Sequence, residues 1–394
     1  MAPYVSSVTA AQTPHDGPCA ALPEHPLGGL DDARWDALAG GGFYSSAFWL
    51  RLVALEPGAP SSAVHTEVPG GGLAAVPVAR ITGEADLGNP HLRWWDLLAE
   101  RGLPAPGPRG LLVAQRRGYL AHLLATPGVD RVEAARALLA RVRAVAGDEP
   151  AVAMYLTTPD VLALRAAGVT AFPVALAADA WIDLGDDGFE AWLSAGPRKR
   201  RARIRTELNK FAAAGYRVEH RTLPHAYTEV GTLAAQTEQR HGIEADPAAY
   251  VEAFRKHAEL AGDRAEVLLC SVDGEPAVGC ALYMRDGDVA YLRAVGFDYD
   301  RLRGAAEYFN LHCYLPAQLP GVRRLHCGIG TEDGKALRGA DLTPLWLLDL
   351  GVDSPLSGRD DEVRAANRRL RAELAAKSPV VERALVTAEW DEFA

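Results

Sequence analysis

Residues 290–330 read AYLRAVGFDYDRLRGAAEYFNLHCYLPAQLPGVRRLHCGIG, and this stretch decides the fold class. It begins as a strand, continues as a helix from about residue 304 to 315, and ends in a second strand, RRLHCGI. Two strand candidates, AEVLLCSV and AVGCALYM, precede it and are followed by the turns DGEP and RDGD, which are typical of hairpins. Antiparallel hairpins that lead into a strand–helix–strand unit predict an α/β protein.

The first half of the chain has a similar order of elements. The run LLVAQ, a helix over 132–146 and the buried strand AVAMYL follow one another there, although no residue-level repeat is visible. We therefore expect two tandem α/β units with mixed, mostly antiparallel sheets flanked by helices. The expected boundaries are a flexible arm over 1–30, a first domain over 31–184 and a second domain over 185–394, which carries most of the candidate residues.

The composition is that of a globular protein. Of 394 residues, 48% are hydrophobic and 23% charged, which excludes a disordered chain. No apolar run approaches the ~18 residues of a membrane helix, and the start, MAPYVSSVTAAQTPHDG, lacks the features of a signal peptide. Five cysteines without a C-x-x-C pair argue against a disulfide scaffold or structural zinc, so we expect a cytoplasmic protein. The net charge of −10 is not that of a dedicated nucleic-acid binder.

The segment 196–211 is a strong exception to this acidity. It holds seven Lys or Arg residues against one glutamate, a local net charge of +6. At ~100° per residue, Arg198, Arg201 and Arg205 lie together beside the apolar stripe of the predicted helix. Because like charges one turn apart repel, these arginines indicate either an anionic ligand or pairing with internal acids. Three further cations fall on the far side, where we expect contact with solvent: Lys199, Arg203 and Lys210.

The junction between the strand AYLRAV and the following helix fits the pattern R-x-x-G-x-A, at Arg301, Gly304 and Ala306. Free N–H groups at a helix start hold a phosphate, glycine allows a close approach, and Arg303 adds charge-assisted donors. The pattern resembles the pyrophosphate-binding loop of the GNAT acyltransferases. That resemblance implies acyl-CoA as co-substrate, with Val295 of the preceding strand also at its site. The alternative is a solvated helix start without a ligand.

A longer resemblance covers roughly residues 187–350. The stretch YFNLHCYLPAQLPGVRRLHCGIGTEDGKALRGADLTP, residues 308–344, resembles the C-terminal motif of GNAT-like proteins of the BioF2-like, or peptidoglycan-biosynthesis, group. The basic helix RKRRARIRTELNKFAAAGY is similar to the helix that opens the second unit in that group and in the Fem-type aminoacyl transferases. The resemblance implies tandem GNAT-like units and an acyl-transfer reaction whose donor is either acyl-CoA or aminoacyl-tRNA.

Lys335 is the first candidate for the transfer chemistry. The chain has five lysines among 41 basic residues, so a lysine in the glycine-flanked loop GIGTEDGKALRG is unusual. In the related acyltransferases the matching lysine lies by the transfer centre, which implies that Lys335 stabilises an oxyanion. The alternative is a surface lysine. Glu332 is a candidate base or helix cap, and Arg338 is a candidate substrate ligand in the same loop.

His312 and Tyr308 lie one turn apart on the predicted helix and share a face. They are candidates for a base and a proton donor, and a helix face packed on the sheet is the alternative. Two His-Cys dipeptides, at 312–313 and 326–327, contain side chains that often bind metals. Adjacent side chains point to different sides, so each pair offers at most one ligand and we expect no metal. We expect both cysteines to be small buried hydrophobes rather than nucleophiles.

Together these residues predict an N-acyltransferase. We expect an amine of a small molecule or peptide to attack acyl-CoA directly, because the sequence offers no convincing nucleophile–base pair for a covalent intermediate. The first alternative is a Fem-type transferase that uses aminoacyl-tRNA to form an amide on a small metabolite or a peptidoglycan-like acceptor. The second alternative is a non-catalytic GNAT-like module that binds an anionic ligand.

Overall fold

The computed structural model describes residues 21–272, 274–302 and 306–394. Its strands are β1 (Ser62–Glu67), β2 (Leu73–Ile81), β3 (Gly110–Val113), β4 (Leu124–Ala125), β5 (Ala151–Leu156), β6 (Val174–Asp183), β7 (Tyr216–Thr222), β8 (Ala265–Val272), β9 (Ala277–Asp286), β10 (Val289–Phe297), β11 (Arg324–Gly328) and β12 (Asp341–Asp349).

Helices flank these strands along the whole chain. They are α1 (Asp32–Ala39), α2 (Ala47–Ala54), α3 (Trp94–Glu100), α4 (Arg131–Ala146), α5 (Thr158–Ala166), α6 (Gly188–Ala195), α7 (Arg198–Ala213), α8 (Tyr227–Arg240), α9 (Pro247–Ala261), α10 (Ala306–Phe309), α11 (Leu315–Ala317), α12 (Glu332–Ala336), α13 (Asp360–Lys377), α14 (Pro379–Ala384) and α15 (Thr387–Asp391). A π-helical turn, Asn310–Tyr314, joins α10 to α11. Among the helices described, none has the length and apolar character that a bilayer span requires.

All the strands join one sheet, in the order β1-β2-β3-β5-β12-β6-β11-β10-β9-β8-β7, with β4 paired to β2. The last strand of the chain, β12, pairs with β5 of the first half, whereas β6 of the first half pairs with β11 of the second. β12 and β6 also pair with each other, antiparallel. The two halves of the chain therefore exchange their final strands. The predicted α/β class, with mostly antiparallel pairing and flanking helices, is confirmed.

Parallel pairing occurs once in each half, between β3 and β5 and between β10 and β11. In the first half the chain itself returns beside the end of β5, where the N–H of Ala121 donates to the carbonyl of Tyr155 over 2.9 Å. In the second half, the pairing of β10 with β11 ends at Tyr291 and His326. The two halves thus share a strand order but differ in how the space beyond the parallel pair is filled.

Helices cover both faces of the second half. On one face α8 lies directly on β10, since a Cβ added to Gly296 would lie 2.5 Å from backbone atoms of α8. On the other face lie α10, α11 and the π-helical turn, where a Cβ on Gly279 would lie 2.9 Å from the side chain of Leu311. Glycine at these two strand positions therefore allows the helices to approach the sheet closely.

The described part of the expected N-terminal arm, residues 21–30, lies against the first half. Leu27 and Leu30 are buried there in a small core of their own, together with residues of α1 and α2. Residues 1–20 lie outside the described part of the chain. The packed leucines show that the end of the arm contributes to the stability of the first half.

Candidate functional site

An opening separates β10 from β11 in the middle of the sheet. Their pairing ends at Tyr291 and His326, while β10 continues beside β9 as far as Phe297, with a bulge at Arg293. Residues 293–295 are half-exposed, although the β9 residues beside them are buried. Among the described residues, no strand pairs with this part of β10 on the β11 side. This edge of β10 therefore has no strand partner among the described residues, which is the feature that an extended ligand uses when it adds to a sheet.

Lys335 lies at the carboxyl end of β11. Its Nζ donates to the carbonyl oxygens of Gly328 and Ile329, each over 3.0 Å. The side chain is buried, and burial lowers the pKa of Lys335, an effect that the neighbouring Cys327 and Cys313 oppose. An ammonium group has three N–H donors, so the two carbonyls leave one donor for a further acceptor.

Two other predicted residues have internal ionic partners. Glu332 is buried, and its Oε2 lies 2.6 Å from the Nζ of Lys377 on α13. Arg338 is also buried and donates to both carboxylate oxygens of Glu207, over 2.7 and 3.1 Å. Its guanidinium also lies over the ring of Phe309. These contacts neutralise Glu332 and hold Arg338 between α7 and α12.

Tyr308 and His312 share a helix face, as predicted, and their rings stack with centres 5.0 Å apart. Burial raises the pKa of Tyr308 to about 12. Burial, with the nearby charge of Lys335, lowers the pKa of His312 from 6.5 to about 3. A base with so low a pKa accepts protons poorly near neutral pH, so His312 is unsuited to general-base catalysis there.

The buried His312 predicts a specific dependence of stability on pH. Its pKa is lower in the folded protein than in the unfolded chain, so the unfolded state binds more protons as the pH falls from 6.5 towards 3. We expect the wild-type free energy of unfolding to decrease relative to that of His312→Gln by about 1.4 kcal/mol per pH unit in this window. Urea denaturation at pH 7.0, 6.0, 5.0 and 4.0 measures both curves. A difference between the two free energies of unfolding that stays constant from pH 7.0 to pH 4.0, whatever its size, would contradict the assignment.

Part of the expected pyrophosphate loop, Arg303 and Gly304, lies outside the described residues. Ala306 is the first residue of α10, close to the predicted helix start. Arg301 forms ion pairs with two acids, at 3.2 and 3.7 Å, and Val295 belongs to the half-exposed segment of β10. The pyrophosphate-binding loop therefore remains a prediction.

Comparison with known proteins finds a family model that matches part of the second half. Residues 198–336 match the family model described as "Acetyltransferase (GNAT) domain". These residues are therefore similar to a GNAT domain, and we call them the GNAT-like segment. The crystal structure of FemX aligns with a TM-score of 0.55 and 14% identity, over 83% of this chain and 97% of FemX. The chain therefore has the FemX fold, and the predicted GNAT-like, Fem-type resemblance is confirmed at the level of fold.

Two further solved structures align over similar lengths at 14% identity. The C-terminal domain (DUF2156) of a putative lysylphosphatidylglycerol synthetase from Agrobacterium fabrum aligns over 84% of this chain and 97% of its own, with a TM-score of 0.49. A tandem GNAT protein from the clavulanic acid biosynthesis pathway aligns over 82% and 95%, with a TM-score of 0.40. Among the curated proteins the search finds no match.

A buried hydrogen-bond network lies beside the opening between β10 and β11. Asp179 of β6 accepts a hydrogen bond from Trp181 Nε1 over 2.6 Å and pairs with His326 Nε2 over 2.8 Å. The other ring nitrogen of His326 lies 3.4 Å from the hydroxyl of Tyr44, and the ring of Tyr291 packs on His326. Asp179 was not among the residues predicted for the site, although an acid in the interior of the apolar strand VALAADAWID is a signal of a buried polar group.

The expectation that adjacent His and Cys residues cannot share a centre is wrong for the first dipeptide. The ligand atoms of His312, Cys313 and Cys327 all lie within 4.8 Å of one another. The π-helical turn widens the helix at this point, so successive side chains diverge less than on a regular α-helix. Contact with Cys313 and burial raise the pKa of Cys327 well above its usual value, which keeps this sulfur a thiol.

The basic residues of α7 divide differently from the helical-wheel prediction. Arg201 donates to two backbone carbonyls at the end of α6, over 2.8 and 3.1 Å, and Arg205 is exposed. Arg198 lines a pocket beside the start of the helix, together with Lys199 and Arg203. Lys199 and Arg203 are exposed, as the helical wheel predicts, and they also line this pocket, whereas Arg201 has partners within the protein.

Proposed function

We propose that the protein is an N-acyltransferase that moves an acyl group from acyl-CoA to an amine, in the opening between β10 and β11. The observation that carries the proposal is the place of Lys335. Its ammonium group is fixed by the carbonyls of Gly328 and Ile329 at the end of β11 and retains one N–H donor. A fixed cation with a free donor suits the stabilisation of a carbonyl oxygen that becomes negative during reaction.

The proposed reaction is a direct attack of the acceptor amine on the thioester of the donor. The lone pair of the amine nitrogen forms a bond to the thioester carbon, and the carbonyl oxygen becomes an oxyanion that accepts a hydrogen bond from Lys335. The C–S bond then breaks, the CoA sulfur takes the electron pair and a proton, and the nitrogen loses its proton. An extended donor that carries amide groups would form hydrogen bonds with the backbone of residues 293–295, the part of β10 that has no strand partner among the described residues.

The contacts of the other candidate residues decide which of them is suited to transfer a proton. Glu332 is paired with Lys377, and His312 is a neutral buried ring, so we assign neither of them the proton of the amine. We infer that they position α12 and the π-helical turn around Lys335. Tyr308, whose ring stacks on His312, remains the candidate proton donor to the leaving sulfur.

An aminoacyl-tRNA donor is the second candidate, favoured by the excess of cations on α7. Both donors present an activated carbonyl to an amine, so the same lysine serves either reaction. A transfer assay with radiolabelled acetyl-CoA or labelled aminoacyl-tRNA, offered to a mixture of amines and peptides, separates them. We expect label to reach an amine from acetyl-CoA. Transfer from tRNA alone would replace the donor, and saturable CoA binding without transfer from either would indicate a binding module.

A further inference from the structure

A pocket of about 630 Å³ lies between the start of α7, the turn from α12 to β12, and α14. Its walls are partly apolar, with Leu337 and Val380 among them. Five cationic side chains line it: Arg198, Lys199, Arg200, Arg203 and Arg383. One acid, Asp341, lines it as well. The pocket is thus concave, and its charge is strongly positive.

Four of the cations that line the pocket stand outside the ion pairs formed by the described residues. Among the described ion pairs, none involves Arg198, Lys199, Arg203 or Arg383. Burial raises the pKa of Asp341, and the charge of the nearby guanidinium of α7 opposes this effect. Four like charges around one cavity repel each other, and an anion placed between them relieves that repulsion.

Arg200 is fixed in the wall of this pocket. Its guanidinium lies 4.8 Å from the ring centre of Trp192. A Cβ on Gly339, whose φ is +91°, would lie 2.7 Å from Arg200 Nη1, and a Cβ on Gly196 would also meet the guanidinium. Two glycines and a tryptophan therefore hold a planar donor in one orientation, which suits recognition of a phosphate.

We propose that this pocket binds the phosphate groups of a phosphorylated small-molecule substrate of nucleotide size. A compact cavity with apolar walls fits a single phosphorylated molecule better than an extended nucleic-acid backbone, which needs a long basic surface. Ala336, which lines the pocket, directly follows Lys335 on α12. The pocket therefore adjoins the short helix that carries Lys335. Its role as a substrate site rests on the proposed function.

Calorimetric titration with inorganic pyrophosphate and with ADP at 0.15 M salt tests the pocket directly. The pocket variant is Lys199→Ala/Arg203→Ala. The matched control is Arg205→Ala/Lys210→Ala, which also removes one lysine and one arginine from α7, at positions that do not line the pocket. We expect saturable binding that weakens at least about tenfold in the pocket variant and less than about twofold in the control. Equal weakening in both variants, or no binding by the wild type, would overturn the proposal.

Competition identifies which substrate carries the phosphate. If CoA displaces pyrophosphate, the phosphorylated substrate is the acyl donor, and if both bind together it is the acceptor. Bulk tRNA is the third arm, and tight tRNA binding without binding of either small anion would overturn the proposal in favour of a nucleic-acid surface. Lys335→Met separates the two hypotheses, since it removes a residue of the transfer site and leaves the pocket cations in place. Pyrophosphate binding without any transfer would refute the proposed function alone.

Discussion

Lys335→Met is expected to lower the turnover number of acyl transfer by about 10²- to 10³-fold, with the Kd for the donor changed by less than about threefold. The fold-change corresponds to loss of one fixed donor to an oxyanion. The effect falls on turnover because that hydrogen bond strengthens as the carbonyl oxygen gains charge, whereas the donor is held largely by other contacts. Steady-state kinetics with saturating amine, together with calorimetric CoA binding, measure the two quantities separately.

The variant also removes two hydrogen bonds, because Lys335 donates to Gly328 and Ile329. Leaving those carbonyls unpaired costs about 1–3 kcal/mol, so near-UV circular dichroism and the melting temperature are measured beside the kinetics. Lys377→Met is the matched control, since it removes the lysine that pairs with Glu332 on the same short helix. A folded Lys335→Met protein with wild-type turnover would refute the assignment of this lysine.

The strands of the GNAT-like segment could be predicted because the turn residues and the alternation of side chains along a strand are properties of neighbouring residues. The run AEVLLCSV coincides with β8, and AVGCALYM and RRLHCGI lie within two residues of β9 and β11. Lys335 was found by resemblance and by the rarity of lysine in this chain. Its burial and its two carbonyl partners were not visible in the sequence, since they depend on how α12 folds back onto β11.

The features that the sequence did not show are those made by distant residues. The exchange of β6 and β12 between the halves depends on pairings across the whole chain, for which no local pattern exists. Asp179 and His326 are 147 residues apart and become neighbours only through that exchange, because β6 lies beside β11. Likewise, a helical wheel predicts that Lys199 and Arg203 contact solvent, and both are exposed, but it cannot show that they also line a pocket with residues of α14 and of the α12–β12 turn.

The Asp179 network leads to the largest expected change in stability. We expect Asp179→Ala to lower the free energy of unfolding by about 3–5 kcal/mol, the usual range for removing one partner of a buried pair. The carboxylate accepts from Trp181 and pairs with His326, and both carboxylate and imidazole are almost completely buried. Without Asp179 the imidazole of His326 stays in the core without that partner, and the indole N–H of Trp181 loses its acceptor.

Asp186→Ala supplies the comparison, since Asp186 follows the same strand and pairs with Arg323 at an exposed position. We expect this control to change the free energy of unfolding by less than about 1 kcal/mol. Urea denaturation at pH 7, followed by tryptophan fluorescence, measures both variants. If Asp179→Ala were no more destabilising than Asp186→Ala, the pair beside the opening would not be a structural tie between β6 and β11. If instead the large loss is seen, this pair helps to hold β6 of the first half beside β11 of the GNAT-like segment, and the wall of the proposed transfer site depends on a residue from the first half of the chain.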